Sequence, residues 1–160
     1  MPRLLLVLLL LLVAPATAVA APDRSDRPWA TVNVCDTAAR PNTLGIRGSM
    51  PGSGRLETLQ MRFRAQYLDP RGRWRYVAAG ADSGYVRVGV ARGRRLESGY
   101  SFEFAAPAAG TTVRMRGAVA FRWLRKGRTV RRARALTQAG HRSTRGADPA
   151  GFSAATCDLR

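Results

Sequence analysis

Residues 112–124, TVRMRGAVAFRWL, form the longest regular alternation of apolar and polar side chains in the chain. A two-residue period of this kind is typical of a β-strand with one buried and one exposed face. The apolar face carries Val113, Met115, Val119, Phe121 and Trp123. The opposite face carries Arg114, Arg116 and Arg122. We therefore predict a long strand whose apolar face lies in the core and whose arginines lie outside.

A hairpin is predicted directly after this strand, because Lys126-Gly127 is a turn signal and a second alternating segment follows it. A plain two-residue turn would direct Arg132 and Arg134 into the core, where unpaired guanidinium groups are very costly. One extra residue in the loop, with Gly127 in the left-handed conformation as a bulge, shifts the pairing by one residue. We therefore expect the bulged register, in which both arginines face water and Ala133 and Ala135 face inward.

The rest of the chain predicts an all-β fold. Residues 59–67 alternate as regularly as residues 112–124, and clusters of Gly, Pro, Asp and Ser separate the other short segments. Further strands are predicted at residues 31–35, 44–50, 74–77, 86–90, 100–104, 129–137 and 151–157. Eight or nine short strands without a helical period favour a single two-sheet β-sandwich. A closed β-barrel is the alternative.

This pattern of strands resembles the immunoglobulin-like and fibronectin type III-like modules that are common in exported bacterial proteins. Residues 112–137 are similar to the F–G hairpin of such a domain, and the resemblance implies that Trp74 is the third-strand tryptophan of the core. It covers residues 30–158 as a pattern of strands, without a specific motif. True immunoglobulin domains bridge strands B and F by a disulfide. Here the cysteines lie in the first and last predicted strands, so the resemblance implies a generic sandwich.

The beginning of the chain has the features of a secretion signal. Arg3 precedes the apolar run of residues 4–13, and Ala18-Val19-Ala20 is a small-x-small cleavage site. Residues 1–20 are therefore predicted to be a signal peptide and residues 21–30 a flexible leader. The apolar run is too short to leave a membrane-spanning helix in the mature chain. A retained signal anchor is the alternative, and the alanine-rich end of the signal favours cleavage. We expect a secreted or cell-wall-associated protein.

The two cysteines are predicted to form one disulfide. Thiols of exported proteins usually oxidise, and two cysteines allow a single pairing, Cys35 with Cys157. That bond would close nearly all of the predicted sandwich domain, residues 31–160, into one loop. A redox-active pair would have a CxxC spacing, which is absent here. The predicted role of the bond is therefore structural.

The chain is strongly basic, with 27 Lys and Arg residues against 10 Asp and Glu residues and a formal net charge of +17. Lys126 is its single lysine. Such a preference for arginine, with abundant Ala, Gly and Pro, is typical of GC-rich coding sequences, so codon usage accounts for part of it. Codon usage does not account for the shortage of carboxylates. A net charge of this size attracts polyanions.

Arginines on adjacent strands would form a dense cationic patch. In the fibronectin-like order the third, sixth and seventh strands lie side by side, about 4.8 Å apart, and Arg73 or Arg75 of the third would join the patch. Guanidinium groups match phosphate, sulfate and carboxylate groups. The predicted anion-binding residues are Arg114, Arg116, Arg122, Arg132 and Arg134. We expect a non-enzymatic protein that binds anionic envelope or extracellular polymers. The alternative is a structural or protein-interaction module whose charge is incidental.

Catalytic, metal-binding and cofactor motifs are not recognised in the sequence. His141, the single histidine, lies in a polar stretch and is expected at the surface. The ten carboxylates are scattered singly, mostly in turns, and a disulfide would remove both thiols as zinc ligands. Apart from Trp74, most aromatic residues occupy predicted core-facing positions, and no helix-turn-helix or RNP-like motif is found. We therefore expect no enzyme activity, cofactor, metal or intracellular nucleic-acid partner.

Overall fold

Nine β-strands make up the computed structural model, which describes residues 27–141 and 145–160. They are β1 Trp29–Thr37, β2 Arg40–Met50, β3 Glu57–Leu68, β4 Trp74–Tyr76, β5 Asp82–Ala91, β6 Leu96–Glu103, β7 Val113–Arg125, β8 Arg128–Leu136 and β9 Cys157–Leu159. The predicted all-β, two-sheet sandwich is confirmed. The predicted signal peptide and residues 21–26 of the predicted leader lie outside the described residues.

The strands form a three-stranded sheet and a six-stranded sheet. The three-stranded sheet has the order β1-β2-β6, with antiparallel pairing. In the six-stranded sheet β3 and β7 are the central pair. Both β4 and β5 pair with the outer edge of β3, while β8 and β9 pair with the outer edge of β7. The six-stranded sheet is therefore four strands wide at any level.

Apolar side chains of β3 and β7 form most of the core, as the two-residue alternation predicts. Phe63, Phe121 and Trp123 are fully buried, and the indole Nε1 of Trp123 donates a hydrogen bond of 2.8 Å to the carbonyl oxygen of Pro51. Trp123 is thus the core tryptophan, and the expectation that Trp74 packs in the core is wrong. Trp74 belongs to a three-residue strand at the edge of β3 and lies on the opposite face of the sheet.

Gly117 allows the two sheets to approach closely in this core. A Cβ atom at this position would lie 2.7 Å from Cδ1 of Ile46 in the opposite sheet and 2.8 Å from Cγ2 of Thr137. Such distances are shorter than van der Waals contact, so a larger residue would force the sheets apart. Gly117 also interrupts the apolar face of β7 at the point where the sequence pattern skips one position.

The β7–β8 hairpin has the predicted register, but the extra residue that produces it lies at a different position. Lys126 (φ 48°) and Gly127 (φ 75°) are both left-handed, which makes a two-residue turn that matches the twist of the strands. Pairing is regular as far as Leu124 with Thr129, and the next pair is Trp123 with Arg131. Val130 is therefore the extra residue, and the predicted position of the bulge at Gly127 is wrong.

The consequence of the bulge agrees with the prediction. Ala133 pairs with Phe121 and packs against the core, and Ala135 does the same opposite Val119. Arg132 and Arg134 are exposed on the other face. One inserted residue reverses the two faces of a strand because side chains alternate with a period of two.

The disulfide between Cys35 and Cys157 is present and joins the two sheets. Cys35 belongs to β1 and Cys157 to β9, and their Cα atoms are 5.3 Å apart. The last strand is much shorter than predicted: residues 151–156 make only an isolated bridge, between Ala154 and Val32, before β9 begins. Pro149 lacks an N–H group and a turn follows it, so a continuous ladder with β1 does not form.

Candidate functional site

All five arginines predicted from the sequence lie on the outer face of the six-stranded sheet. No bulge interrupts the pairing of β7 with β3, so Arg114, Arg116 and Arg122 share the face opposite to the core. On β8, Arg132 pairs directly with Arg122, and Arg134 pairs with Ala120. We call this surface the outer face.

Arg114 differs from the other four arginines because it is paired with a carboxylate. Its Nε and Nη2 atoms donate hydrogen bonds of 2.8 and 2.9 Å to the two carboxylate oxygens of Asp158 on β9. The hydrogen bond to Asp158 raises the pKa of Arg114, and the same contact lowers the pKa of Asp158. This bidentate pair neutralises the charge of Arg114 and holds β9 against β7.

Three aromatic rings on the outer face are the feature that sequence reasoning missed. The guanidinium carbon Cζ of Arg116 lies 4.2 Å from the centre of the Trp74 ring. Cζ of Arg64 lies 3.9 Å from the Tyr76 ring, and Cζ of Arg122 lies 3.7 Å from the Tyr85 ring. The expectation that Arg73 or Arg75 lies on this face is wrong. Tyr76 pairs with Gln66, so Trp74 and Tyr76 point outward, and the alternation of side chains turns Arg73 and Arg75 to the other face.

Glutamines of β3 fix two of these stacked guanidinium groups from the side. Arg116 donates from Nε to Oε1 of Gln66 at 2.8 Å, and Arg122 donates from Nε to Oε1 of Gln60. Each glutamine is the direct cross-strand partner of its arginine. Burial lowers the pKa of Arg116, although a guanidinium remains charged at any physiological pH. Both groups are therefore held in plane by a ring beneath them and an amide beside them.

The arginines that lack an acidic partner form a defined set. Within residues 27–141 and 145–160, six strand arginines of the outer face form no ion pair with a carboxylate. Arg87 lies on the edge strand β5, opposite Gln60. We call the other five, on the adjacent strands β3, β7 and β8, the basic face: Arg64, Arg116, Arg122, Arg132 and Arg134. The neighbouring Arg62 differs, because it is paired with Asp82 and lowers the pKa of that carboxyl group.

A groove runs through the basic face above β7. Its floor is made by the small side chains of Ala118 and Ala120, which lie between Arg116 and Arg122 along the strand. Arg64 and Tyr76 line one side, and Arg134 and Leu136 line the other. The groove has a volume of about 260 Å³. Small residues in the middle of an arginine row therefore create a concave surface with cations on both sides.

The positive charge is concentrated on one of the two sheets. Strands of the six-stranded sheet carry twelve arginines and three carboxylates. Strands of the three-stranded sheet carry two arginines and three carboxylates. Codon usage would enrich arginine in both sheets alike, so it does not explain this difference.

Other polar groups have local structural partners. Asp69 accepts hydrogen bonds from the backbone of Arg73 and Arg71, and the bond from Arg73 is the main cause of its lowered pKa. The ring of His141 stacks on Trp29 at 4.0 Å between ring centres, and burial lowers the pKa of the imidazole. In the part of the chain that the structure describes, no three His, Cys, Asp or Glu side chains are grouped as metal ligands. No helix in that part is long and apolar enough to cross a bilayer.

Comparison with known proteins adds no assignment: no protein-family model matches this chain, and no curated protein matches it at a significant level. The chemistry of the basic face is therefore the main guide to function.

Proposed function

We propose that the protein binds linear anionic polymers through the basic face, without catalysing a reaction. The single observation that carries this proposal is a row of guanidinium groups that lack acidic partners and are held by rings and amides. Arginines that only keep a protein soluble are mobile and paired with solvent. Arg64, Arg116 and Arg122 are instead stacked on aromatic rings.

Fixed guanidinium groups favour anion binding for two physical reasons. A stacked arginine has already lost side-chain freedom, so less entropy is lost when an anion binds. The Nε donors of Arg116 and Arg122 are occupied by glutamine oxygens. The Nη groups at the other end of each guanidinium then supply the hydrogen bonds to phosphate or sulfate oxygens.

Repulsion within the basic face supports the same proposal. Arg122 and Arg132 are direct cross-strand partners, and like charges in that position destabilise a sheet. A bound polyanion removes this repulsion. The unequal distribution of arginines between the two sheets supports a selected surface over an accident of composition.

The proposed place of action is outside the cell or at the cell wall. The supporting observations are the signal-like residues 1–20 and the disulfide that joins the two sheets. The proposed partners are anionic envelope or extracellular polymers. If the alternative holds instead, the domain is a structural or protein-interaction module and its charge is incidental.

We also propose that the domain is a divergent member of the immunoglobulin-like and fibronectin type III-like group. Support comes from strand order: β1, β2 and β6 form one sheet, as strands A, B and E do. In the other sheet β3, β7 and β8 are neighbours, as strands C, F and G are. The disulfide between β1 and β9 differs from the B–F bridge of immunoglobulins.

The proposed function is tested by neutralising arginines in two matched triple variants. The first changes Arg64, Arg116 and Arg122 to Gln, and the control changes the exposed loop residues Arg55, Arg92 and Arg94 to Gln. Both remove three charges. Binding to dextran sulfate and to a polyphosphate matrix is measured as a function of salt concentration.

The wild type should show a slope of log K against log salt of about −3 to −4.5, given about −0.7 to −0.9 per neutralised phosphate and four or five contacts. We expect the basic-face variant to lose affinity by at least about tenfold and the control by much less. An equal loss in both variants would mean that net charge alone is responsible. Salt-independent or absent binding by the wild type would contradict the proposal and favour the structural module.

A further inference from the structure

We propose that the polymer bound by the basic face is a polyol-phosphate chain, with one phosphodiester per repeat and six backbone bonds per repeat, lying along β7. This inference rests on the proposed function and adds the chemical class, the repeat length and the direction of the ligand. The observations behind it are the strand register, the shape of the groove and the guanidinium groups that cover the aromatic rings.

Register places four arginines at equal steps along β7. Arg116 marks the first level, Arg64 pairs with Ala118 at the second, and Arg134 pairs with Ala120 at the third. Arg122 marks the fourth level. Successive levels are two residues apart, which is about 7 Å at the rise of an antiparallel strand. The four guanidinium groups therefore arise from the sheet at a regular interval over about 20 Å.

Groove shape selects the direction of the chain. Arg64 lies on the β3 side of the alanine floor and Arg134 on the β8 side. A chain running along β7 meets a guanidinium at each level, from alternate sides at the two middle levels. A chain crossing the strands at the level of Arg122 meets that residue, Arg132 and Arg87, since Arg87 on β5 pairs with Gln60. These three arginines are unevenly spaced, because Arg132 is one strand from Arg122 and Arg87 is two strands away. The longitudinal direction thus makes one more charge contact, and its four arginines are evenly spaced.

The interval of about 7 Å identifies the chemical repeat. Three backbone bonds of an extended polypeptide span about 3.3–3.6 Å, so a repeat of six bonds spans about 7 Å. A glycerol-phosphate diester has six backbone bonds and one negative charge per repeat. Inorganic polyphosphate has two bonds per charge, so its charges are about 2.3 Å apart by the same scaling. The ladder of arginines therefore matches the polyol phosphate in both charge and spacing.

A nucleic-acid strand also has six backbone bonds per repeat, but the rings of the outer face argue against it. Single-stranded nucleic acid binds to exposed aromatic faces on which bases stack. Here Trp74, Tyr76 and Tyr85 are each covered by a guanidinium group. On each ring a guanidinium group occupies a face on which a base would otherwise stack, so the favoured ligand has phosphodiesters without bases.

The test compares three probes of equal total charge at one ionic strength. They are a defined glycerol-phosphate oligomer, an inorganic polyphosphate and an oligodeoxythymidylate. We expect the glycerol-phosphate oligomer to bind at least about tenfold more tightly than the other two. Its affinity should rise steeply up to four repeats and then more slowly, because the ladder has four levels.

A second arm fills the groove without changing charge. Ala120→Leu should weaken binding of the glycerol-phosphate oligomer by about tenfold, because the floor is raised between Arg62 and Arg134. The matched control, Ala109→Leu, lies in an exposed loop and should bind as the wild type does. Circular dichroism confirms folding, and the polar variant Ala120→Gln replaces Ala120→Leu if the latter does not fold.

Each alternative outcome is decisive. Equal affinity for the glycerol-phosphate oligomer and polyphosphate overturns the repeat-length inference and leaves the proposed function intact. Tighter binding of oligodeoxythymidylate identifies a nucleic-acid surface and also overturns it. Unchanged binding by the folded Ala120 variant places the ligand outside the groove and overturns its proposed course along β7. Absence of salt-sensitive binding to all three probes overturns the proposed function itself.

Discussion

Two arginines on one face of β7 show how neighbours decide the role of a residue. Arg114 is paired with Asp158 through two hydrogen bonds, so its charge is used inside the fold. Arg116, two residues further, is stacked on Trp74 and bonded to Gln66. A cation–π contact of this kind contributes about 0.5–2 kcal/mol, depending on burial. The sequence pattern is the same at both positions, and only the residues across the strands distinguish them.

Planarity, as well as charge, should matter at the stacked positions. Changing Arg64, Arg116 and Arg122 together to Lys keeps the charge but removes the flat group that stacks and donates in parallel. We expect affinity for dextran sulfate to fall by about fivefold to tenfold with little change in the salt slope. The same change at Arg55, Arg92 and Arg94 should have no effect. Wild-type affinity in the stacked Lys variant would mean that the rings are irrelevant to binding.

Asp82 limits the positive potential of the outer face, and its removal should strengthen binding. Asp82→Asn releases Arg62 from its ion pair and adds one cation opposite Ala120, which Arg62 pairs with across the strands. We expect tighter binding and a salt slope steeper by about one unit. Isothermal titration at several salt concentrations measures both. A weaker-binding Asp82→Asn variant would indicate that the ion pair positions Arg62 for the ligand.

Element by element, the sequence is informative where strands are long. The alternation in residues 59–67 and 112–124 predicts which face of β3 and β7 is buried, because many residues in each segment follow the same two-residue period. β4 has only three residues, and its alternation is compatible with either face. The pairing of Tyr76 with Gln66 decides which side chains of β4 point outward, and this pairing across the β3–β4 connection cannot be seen in the three residues of β4 alone. The stacked rings were missed for that reason.

The bulge of the β7–β8 hairpin illustrates a related limit. An extra residue at Gly127 or at Val130 leads to the same register after it. The sequence pattern therefore predicts that Arg132 faces outward, but it does not predict where the extra residue lies. The left-handed conformation of Lys126 allows the tight turn. The insertion then falls in the strand instead of the loop.

Two deletions should separate the bulge from the register. Deleting Val130 removes the extra residue and keeps Ala133 opposite Phe121, so the protein should still fold. Deleting Ala133 instead moves Arg134 to the core-facing position and should destabilise the domain by several kcal/mol. Urea unfolding monitored by tryptophan fluorescence measures both free energies of unfolding. Equal destabilisation by the two deletions would contradict this account of the hairpin.

At the scale of the whole molecule, the C-terminal segment closes the sandwich. Ala154 bridges Val32, and Asp148 bridges Val34, so residues after β8 cover the free edge of β1. Cys157 then joins β1 through the disulfide. Covering an edge in this way protects its backbone groups from pairing with another chain.

Removal of the disulfide should lower global stability. The cysteines are 122 residues apart in sequence. A loop of that size gives about 4.9 kcal/mol in the chain-entropy model, and measured losses are commonly about 2–5 kcal/mol. The double variant Cys35→Ser, Cys157→Ser should therefore show a much lower urea midpoint than the oxidised wild type. Wild type measured with reductant serves as the control and should match the variant; an unchanged midpoint would contradict the prediction.

Acid should destabilise the fold through its paired carboxylates. Hydrogen bonds lower the pKa values of Asp82 and Asp158 below the ordinary value. Their contribution to stability is therefore complete above the unfolded pKa, about 3.9, and is lost as pH falls through the folded pKa. Urea midpoints measured from pH 6 to pH 2 should decrease most below about pH 4. The double variant Asp82→Asn, Asp158→Asn should show a flatter profile, and an identical profile would refute the role of these pairs.

The unequal charge of the two sheets makes the domain an electric dipole. Packed sheets are about 10 Å apart, with twelve arginines on the strands of one and three carboxylates against two arginines on the strands of the other. A tumbling molecule near a negatively charged polymer experiences a torque that turns the six-stranded sheet toward it before any contact forms. Productive encounters then become more frequent, and the association rate falls steeply as salt shortens the range of the field. In this orientation the three-stranded sheet faces away from the polymer, so its outer surface stays free while the polymer is bound.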